Sequence, residues 1–402
     1  MPTTLGNHIS TLKGFAFKSK WYCAAGTPIV RVSDFSDDAV DTASLTYIPE
    51  EMAIEYERYR LTTGDVVIQT VGSWPNNPQS VVGKAIRVPS EASGALLNQN
   101  AVRIDPTEDL DKTFLFYLLR NNLFKNYIVG CAQGAASQAS ITLEAIRNFS
   151  FELPPLPIQR KIADVLSAYD DLIEINSRRI RVLEAMAQSV YREWFGNVDA
   201  KSLPKGWEMK SLGDFGKVVT GKTPSKEIDD YWNSRDVPFI RTPDMHNQFF
   251  CVEITDYVSE KGALSQKNKF IPPNSLLMNC IGANAGSVTI TSIISQTNQQ
   301  INSIVLHDLS DLEFLYFALS DLRDTVRLYG STGATMINLS MGKFLELQVL
   351  TPAKELRTEY HDIASPMFEH IKNLQQKNAY LRRTRELLLP RLVSGEVGVE
   401  GL

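Results

Sequence analysis

Histidine is scarce in this chain of 402 residues, with five in all. None stands at metal-ligand spacing from another, and His361 and His370, on one helical stretch, are nine residues apart. Cysteine is scarcer. Cys23, Cys131, Cys251 and Cys280 stand alone, with no C-x-x-C pair. That excludes a zinc ribbon and fits small hydrophobic side chains in a reducing cytoplasm. No apolar run approaches the ~20 residues that span a bilayer. The opening Met-Pro-Thr-Thr-Leu-Gly-Asn has neither a basic start nor an apolar stretch, so no secretory signal is expected. Positive charge is also lacking: the net charge is −5 and no region is strongly basic. A nucleic-acid partner would therefore need some of its phosphate neutralisation from another protein. No G-x-S-x-G elbow occurs. The adjacent prolines, Pro154-Pro155 and Pro272-Pro273, do not sit in an Asn/Asp-Pro-Pro-aromatic motif for amino-methyl transfer.

What is present is a repeat. Leu61-Thr-Thr-Gly-Asp-Val-Val-Ile-Gln-Thr-Val-Gly72 is answered by Ile271-Pro-Pro-Asn-Ser-Leu-Leu-Met-Asn-Cys-Ile-Gly282. Thr27-Pro-Ile-Val-Arg-Val-Ser-Asp34 returns as Val237-Pro-Phe-Ile-Arg-Thr-Pro-Asp244, and Asn98-Gln-Asn100 as Asn298-Gln-Gln300. Hydrophobic content of 43% and charged content of 22% describe a globular protein, and the length exceeds one ordinary core. Each half shows short β-like runs between Gly, Pro, Asn and Ser, then an apolar helical stretch at Phe114–Tyr127 or Leu312–Tyr329. The expected fold class is α+β in two similar modules. The expected boundaries are 1–153, 154–198, 199–351 and 352–402, with the modules alternating with helical regions.

The helical regions show heptad-like stripes. One runs through Ile158, Ile162, Val165, Tyr169 and Leu172, resuming at Leu183, Met186 and Val190. Asn176 and Arg179 fall on it, and polar seam residues fix register at some cost in stability. The second carries Leu356, Tyr360, Ile363, Met367, Leu374, Leu381 and Leu388. Ser167-x-x-Asp170 and Ser365-Pro366 resemble helix starts, which predicts a short helix and then a long one of roughly 35–42 Å in each region. The two long helices are expected to pair antiparallel through Leu172, Asn176, Leu183, Val190, Leu374, Leu381 and Leu388.

Gly216-Lys-Val-Val-Thr-Gly-Lys-Thr223 matches the phosphate-loop pattern G-x-x-x-x-G-K-[ST]. Its setting is wrong for nucleotide hydrolysis: no buried strand precedes it, and Pro224 follows where a helix should begin. Lys222 and Thr223 can still donate to a DNA phosphate. Polar residues recur at matched places in the two halves. Arg31-Val-Ser33-Asp34 and Arg241-Thr242-Pro-Asp244 each combine a guanidinium with short polar groups. Gln69 and Ser73 end a strand as Asn279 and Asn284 do. Gln133 and Ser137 occupy a Gly/Ser-rich loop that returns as Ser331 and Thr335. Such groups suit base edges and phosphates. The competing reading is a stand-alone NTP-binding enzyme or methyltransferase; a third is a structural protein that binds a partner but not DNA.

The chain resembles the DNA-specificity subunit of type I restriction–modification systems. The resemblance rests on Leu153-Pro-Pro-Leu-Pro-Ile-Gln-Arg-Lys-Ile-Ala163, Leu203-Pro-Lys-Gly-Trp-Glu208, Thr220-Gly-Lys-Thr-Pro-Ser225 and Leu387-Leu-Leu-Pro-Arg-Leu-Val-Ser-Gly-Glu-Val397, in order. It implies two target-recognition domains in a pseudo-twofold repeat, each reading half of a bipartite double-stranded DNA site, with the paired helices as spacer. It implies no catalysis and no cofactor in this chain. S-adenosylmethionine would sit on two methyltransferase subunits, and ATP with Mg on motor–nuclease subunits. The first module begins at Leu5-Gly6 without its own Leu-Pro-x-Gly-Trp lead, so its edge is expected to lean on the C-terminal tail.

Overall fold

The computed structural model describes residues 2–36, 39–75, 81–135, 138–196, 198, 203–282, 284–331 and 338–399. The chain forms two compact units, 1–171 with 382–402, and 172–381.

In the first unit an antiparallel sheet runs in the order Ile9–Lys13, Ala101–Pro106, Val66–Gln69, Ala85–Arg87. A smaller sheet places Thr27–Val30 between Thr46–Ile48, antiparallel, and Leu96–Leu97, parallel. The strand Val66-Val-Ile-Gln69 is buried throughout because both its faces are covered. Val66 and Ile68 join Val102, Ile104 and the helix residues Phe114, Leu115 and Leu118. Val67 faces the other way, onto Val30, Ile86 and Leu97. The helices Lys112–Arg120 and Asn122–Gly130 are two, not one. Asn121 leaves helical geometry and caps the second by accepting from the Leu123 N–H at 2.9 Å.

The second unit repeats this plan. Gly216–Thr220, Ile301–Leu306, Leu276–Asn279 and Val288–Thr291 follow in the same order, with Phe250–Cys251 added in parallel at the edge. Val237–Ile240 lies between Asp256–Val258 and Gln296–Thr297. Leu276 and Met278 face the helices, while Leu277 meets Ile240, Cys251 and Ile301. A two-stranded ladder closes each module: Pro2–Thr4 with Ser150–Glu152, and Glu208–Ser211 with Gln348–Thr351. Even without a Trp-containing lead, the first module has its closing strand. Its core also takes in Leu389, Leu392 and Val399 from the C-terminal segment, and Lys161 Nζ donates to the Val399 carbonyl at 3.3 Å.

Each long helix is continuous, Leu156–Phe195 and Lys354–Val393, 40 residues apiece. At 1.5 Å per residue that is about 60 Å, which corrects the expected short-then-long division. Ser167 does not cap a new helix; its hydroxyl donates to the Asp164 carbonyl at 3.2 Å. Asp170 accepts from Tyr117 Oη at 2.5 Å and pairs with Arg385. Pro366 sits inside the second helix, where it forgoes one bond, to the carbonyl of exposed Asp362.

The helices pack together, antiparallel. In the second unit Asn176 meets Asn378, and Ala187 meets Tyr360; in the first, Asp170 meets Arg385. The inward stripe of the first helix is buried Ile173, Asn176 and Ala187 with half-buried Ile180, Leu183 and Val190; that of the second includes buried Tyr360, Ala364, Ile371, Leu374 and Asn378 with half-buried Leu381 and Leu388. The expected pairing positions Asn176, Leu183, Val190, Leu374, Leu381 and Leu388 lie on these stripes. Leu172 does not: it is 49% exposed, as is Met186. Leu172, Arg179 and Met186 share one heptad position, one residue away from the face that Ile173, Ile180 and Ala187 occupy. Ile363 is likewise exposed, and Ala364 takes its place.

Gln159 and Arg357 do the same work in the two copies. Gln159 accepts from Asp111 N and donates to the Asp109 and Pro154 carbonyls. Arg357 pairs with Asp311 at 2.7 Å and donates to the Pro352 carbonyl. Among the described residues no helix is long and apolar enough to cross a membrane.

Candidate nucleic-acid interface

The phosphate-loop lookalike folds as a sheet strand and its exit. Gly216–Thr220 pairs with Ile301–Leu306, the Gly221 N–H donates to the Ile301 carbonyl at 3.1 Å, and the Lys222 N–H to that of Thr297 at 2.9 Å. Donors already spent on carbonyls cannot cradle a phosphate. Lys222 is exposed at the strand end, and Thr223 donates to Gln299 Oε1 at 2.7 Å.

The Arg-x-x-Asp turns are alike in both modules. Asp34 accepts from Arg31 N at 2.8 Å, from the Arg31 guanidinium at 3.0 Å and from Ser33 Oγ at 3.1 Å. Asp244 accepts from Arg241 N at 2.8 Å and from Thr255 N and Oγ1 at 3.1 and 2.7 Å. Both carboxylates are 6% exposed. They hold their turns and have no face left for a base. Arg31 and Arg241 remain part-exposed, the latter paired through Nε with Asp256 at 2.5 Å.

Gln69 and Asn279 also turn inward, at 1% and 3% exposure. Gln69 Nε2 donates to the Val71 carbonyl at 2.9 Å, and Asn279 Oδ1 accepts from Ile281 N at 3.2 Å. They shape the end of the strand rather than reach from it. Beyond Gln69 the strands Gln133–Ala135 and Gln138–Ser140 extend the pairing from Val71–Gly72, with exposed Gln133 opposite Ser140 and Ser140 opposite Val71. The second module bridges Ile281 to Asn338 at the matching place. Ser137 and Thr335 lie outside the described residues; Ser331 ends the helix Arg323–Ser331, and only its backbone is described. Exposed Asn284 meets His246 at 3.2 Å, which carries it to the Arg241–Asp244 turn.

Three second-module elements thus converge: the Lys222-Thr223 exit, the Arg241-Thr242 turn and the Asn298-Gln299-Gln300 bend. They border a cavity of about 270 Å³ lined by Thr223, Lys226, Trp232, Arg241, Gln299 and Gln300, among others. Thr242 Oγ1 lies 3.3 Å from Gln300 Oε1. His246, Gln299 and Gln300 were not among the residues expected from sequence. The repeated Asn-Gln-x triplet was the available signal, but nothing in a sequence says which loop it adjoins.

All four cysteines are free. Burial pushes the Cys280 thiol up to about 11 and raises that of Cys251 further. These two fit the expected role of buried small hydrophobes; Cys23 is exposed. Among the described residues no cluster of three or more His, Cys, Asp or Glu is placed to hold a metal.

A family model described as the type I restriction modification DNA specificity domain matches the chain twice, over residues 7–185 and 204–383. The type I restriction enzyme HindI specificity subunit of Haemophilus influenzae is 30% identical, over 78% of this chain and 84% of its own. The MjaIX specificity subunit of Methanocaldococcus jannaschii is 27% identical, over 76% and 73%. The crystal structure of a type I S subunit from M. genitalium superimposes with a TM-score of 0.59 at 14% identity, covering 98% of this chain and 96% of that one. At that identity the likeness concerns the fold.

Proposed function

The chain belongs to the family of type I restriction–modification DNA specificity subunits, and we propose that its two target-recognition domains each read one half of a bipartite DNA site. A specificity subunit is the non-catalytic component of such an enzyme. The observation that carries the reading is duplication with divergence. Two modules share the three antiparallel strand pairings of their main sheets, yet differ in the side chains at matched loop positions. The reading side chains are Arg31, Ser33, Ser73, Gln133 and Ser137 in the first module, and Lys222, Thr223, Arg241, Thr242, Asn284, Ser331 and Thr335 in the second. Asp34, Asp244, Gln69 and Asn279 serve by holding those loops in place.

The paired helices act as the spacer that sets the gap between half-sites, which are read mainly in the major groove. Methyltransferase subunits, two per complex, carry S-adenosylmethionine and methylate adenine. Motor–nuclease subunits carry ATP with Mg, and the assembly works in the cytoplasm. Positive charge on those partners complements a chain whose own net charge is −5. The test is sequencing of methylated adenines in a host expressing this chain with its methyltransferase subunit. The expected result is one asymmetric two-part motif with a constant gap; methylation without a motif, or none, contradicts the reading.

A further inference from the structure

The polar cavity of the second module contains a hydrogen-bond chain whose polarity can be assigned atom by atom. The backbone N–H of Gln300 donates to Asn298 Oδ1 at 3.2 Å. A backbone N–H can only donate, so it fixes which end of the Asn298 amide is oxygen. The other end, Nδ2, then donates to Gln300 Oε1 at 3.2 Å, which orients the Gln300 amide in turn. Thr242 Oγ1, 3.3 Å from the same oxygen, is therefore a donor to it. With its oxygen held twice, Gln300 has its NH2 group left to offer. Arg241 and Lys226, which carry donors only, line the same cavity, and so does Asp256, whose carboxylate holds Arg241 Nε and leaves the rest of the guanidinium to offer.

We propose that Gln300, together with Arg241, reads the N7 and O6 acceptor edge of a guanine in the half-site of the second module; this rests on the DNA-reading assignment above. Against the Gln300 NH2 itself, the amino groups of adenine and cytosine would set donor against donor. The first module lacks the arrangement. Strand register places Asn100, one methylene shorter, at the position of Gln300, and Val32 at that of Thr242. The arrangement thus differs between the copies, as two modules that read different bases require.

The test is Gln300→Glu in the full chain, assembled with its methyltransferase subunit and read by genome-wide sequencing of methylated sites. Glutamate keeps the shape and the oxygen that Asn298 and Thr242 hold, but turns the outward donor into an acceptor. The expected result is a shift at one position of one half-site from guanine towards cytosine, by about tenfold in relative use, with the other half-site unchanged. An unchanged motif overturns the proposal, whether methylation stays normal or falls evenly at all sites, as loss of a phosphate contact would cause. If melting shows that this variant does not fold, Thr242→Val takes its place. Released from one donor, Gln300 should discriminate less at the same position, and undiminished discrimination overturns the proposal. Wild-type complex that methylates without any motif would sink the DNA-reading assignment instead, so the two failures are distinguishable.

Discussion

A methyl group at position 221 would lie 2.0 Å from the carbonyl oxygen of Asn298, and one at position 14 would lie 2.1 Å from that of Asn98. Each glycine is present because two backbones touch, and the match to a phosphate loop follows from that requirement plus a chance Lys-Thr. Lys222→Ala should leave the melting temperature unchanged and weaken DNA binding by the complex. The slope of log affinity against log salt should become shallower by about one; titrations at several salt concentrations check this. Glu184 gives a pH prediction. Burial alone raises its carboxyl above the ordinary 4.5. The stability tied to its protonated form is therefore present below pH 4.5 and is lost as pH rises through the folded-state value. Glu184→Gln should melt higher than wild type at neutral pH, with the gap closing on acidification. Some of this was legible. Lys222 is exposed, as a phosphate donor must be, but Asp34 and Asp244, which the sequence offers as contacts, are caps. The Ser211-x-x-Asp214 turn, with its N–H to carboxylate bond at 2.8 Å, shows the pattern that marks them.

At the scale of elements, the heptad stripes identified both helices and placed Asn176 in the seam. They missed its partner, because a search for apolar spacing skips polar positions. Asn378 accepts from Asn176 Nδ2 at 2.9 Å and donates to the Ile173 carbonyl and Ser177 Oγ, each at 3.2 Å. Leu172 and Ile173 are adjacent and both apolar, so sequence could not say which faced inward; packing chose Ile173. The predicted helix starts failed because Asp170 has a stronger use than capping, in a cluster with Tyr117 and Arg385. Asn176→Leu alone should cost about 1–3 kcal/mol by stranding the buried amide of Asn378. Asn176→Leu with Asn378→Leu should recover most of that loss. Urea unfolding of the three proteins separates these outcomes, and equal losses in single and double variants would mean that the amides do not act as a pair.

For the whole molecule, the internal repeat foretold two modules of one topology, and the three antiparallel strand pairs of the first main sheet recur in the second, which adds one parallel edge strand. It did not foretell where the compact units divide. Each takes its share of both long helices, with breaks after Asp171 and Leu381, because the two ends of one helix pack into different cores. Those contacts are non-local and leave no periodic trace. Residues 1–153 should nonetheless be exchangeable as a reading unit, since the Gln159 and Tyr117–Asp170 contacts are the ties to preserve at the join. The most direct test replaces residues 1–153 by the corresponding module of a relative with a different motif and sequences the methylated adenines. The account predicts that one half-site changes while the other half-site and the gap stay as they were. A change in both half-sites together would contradict it.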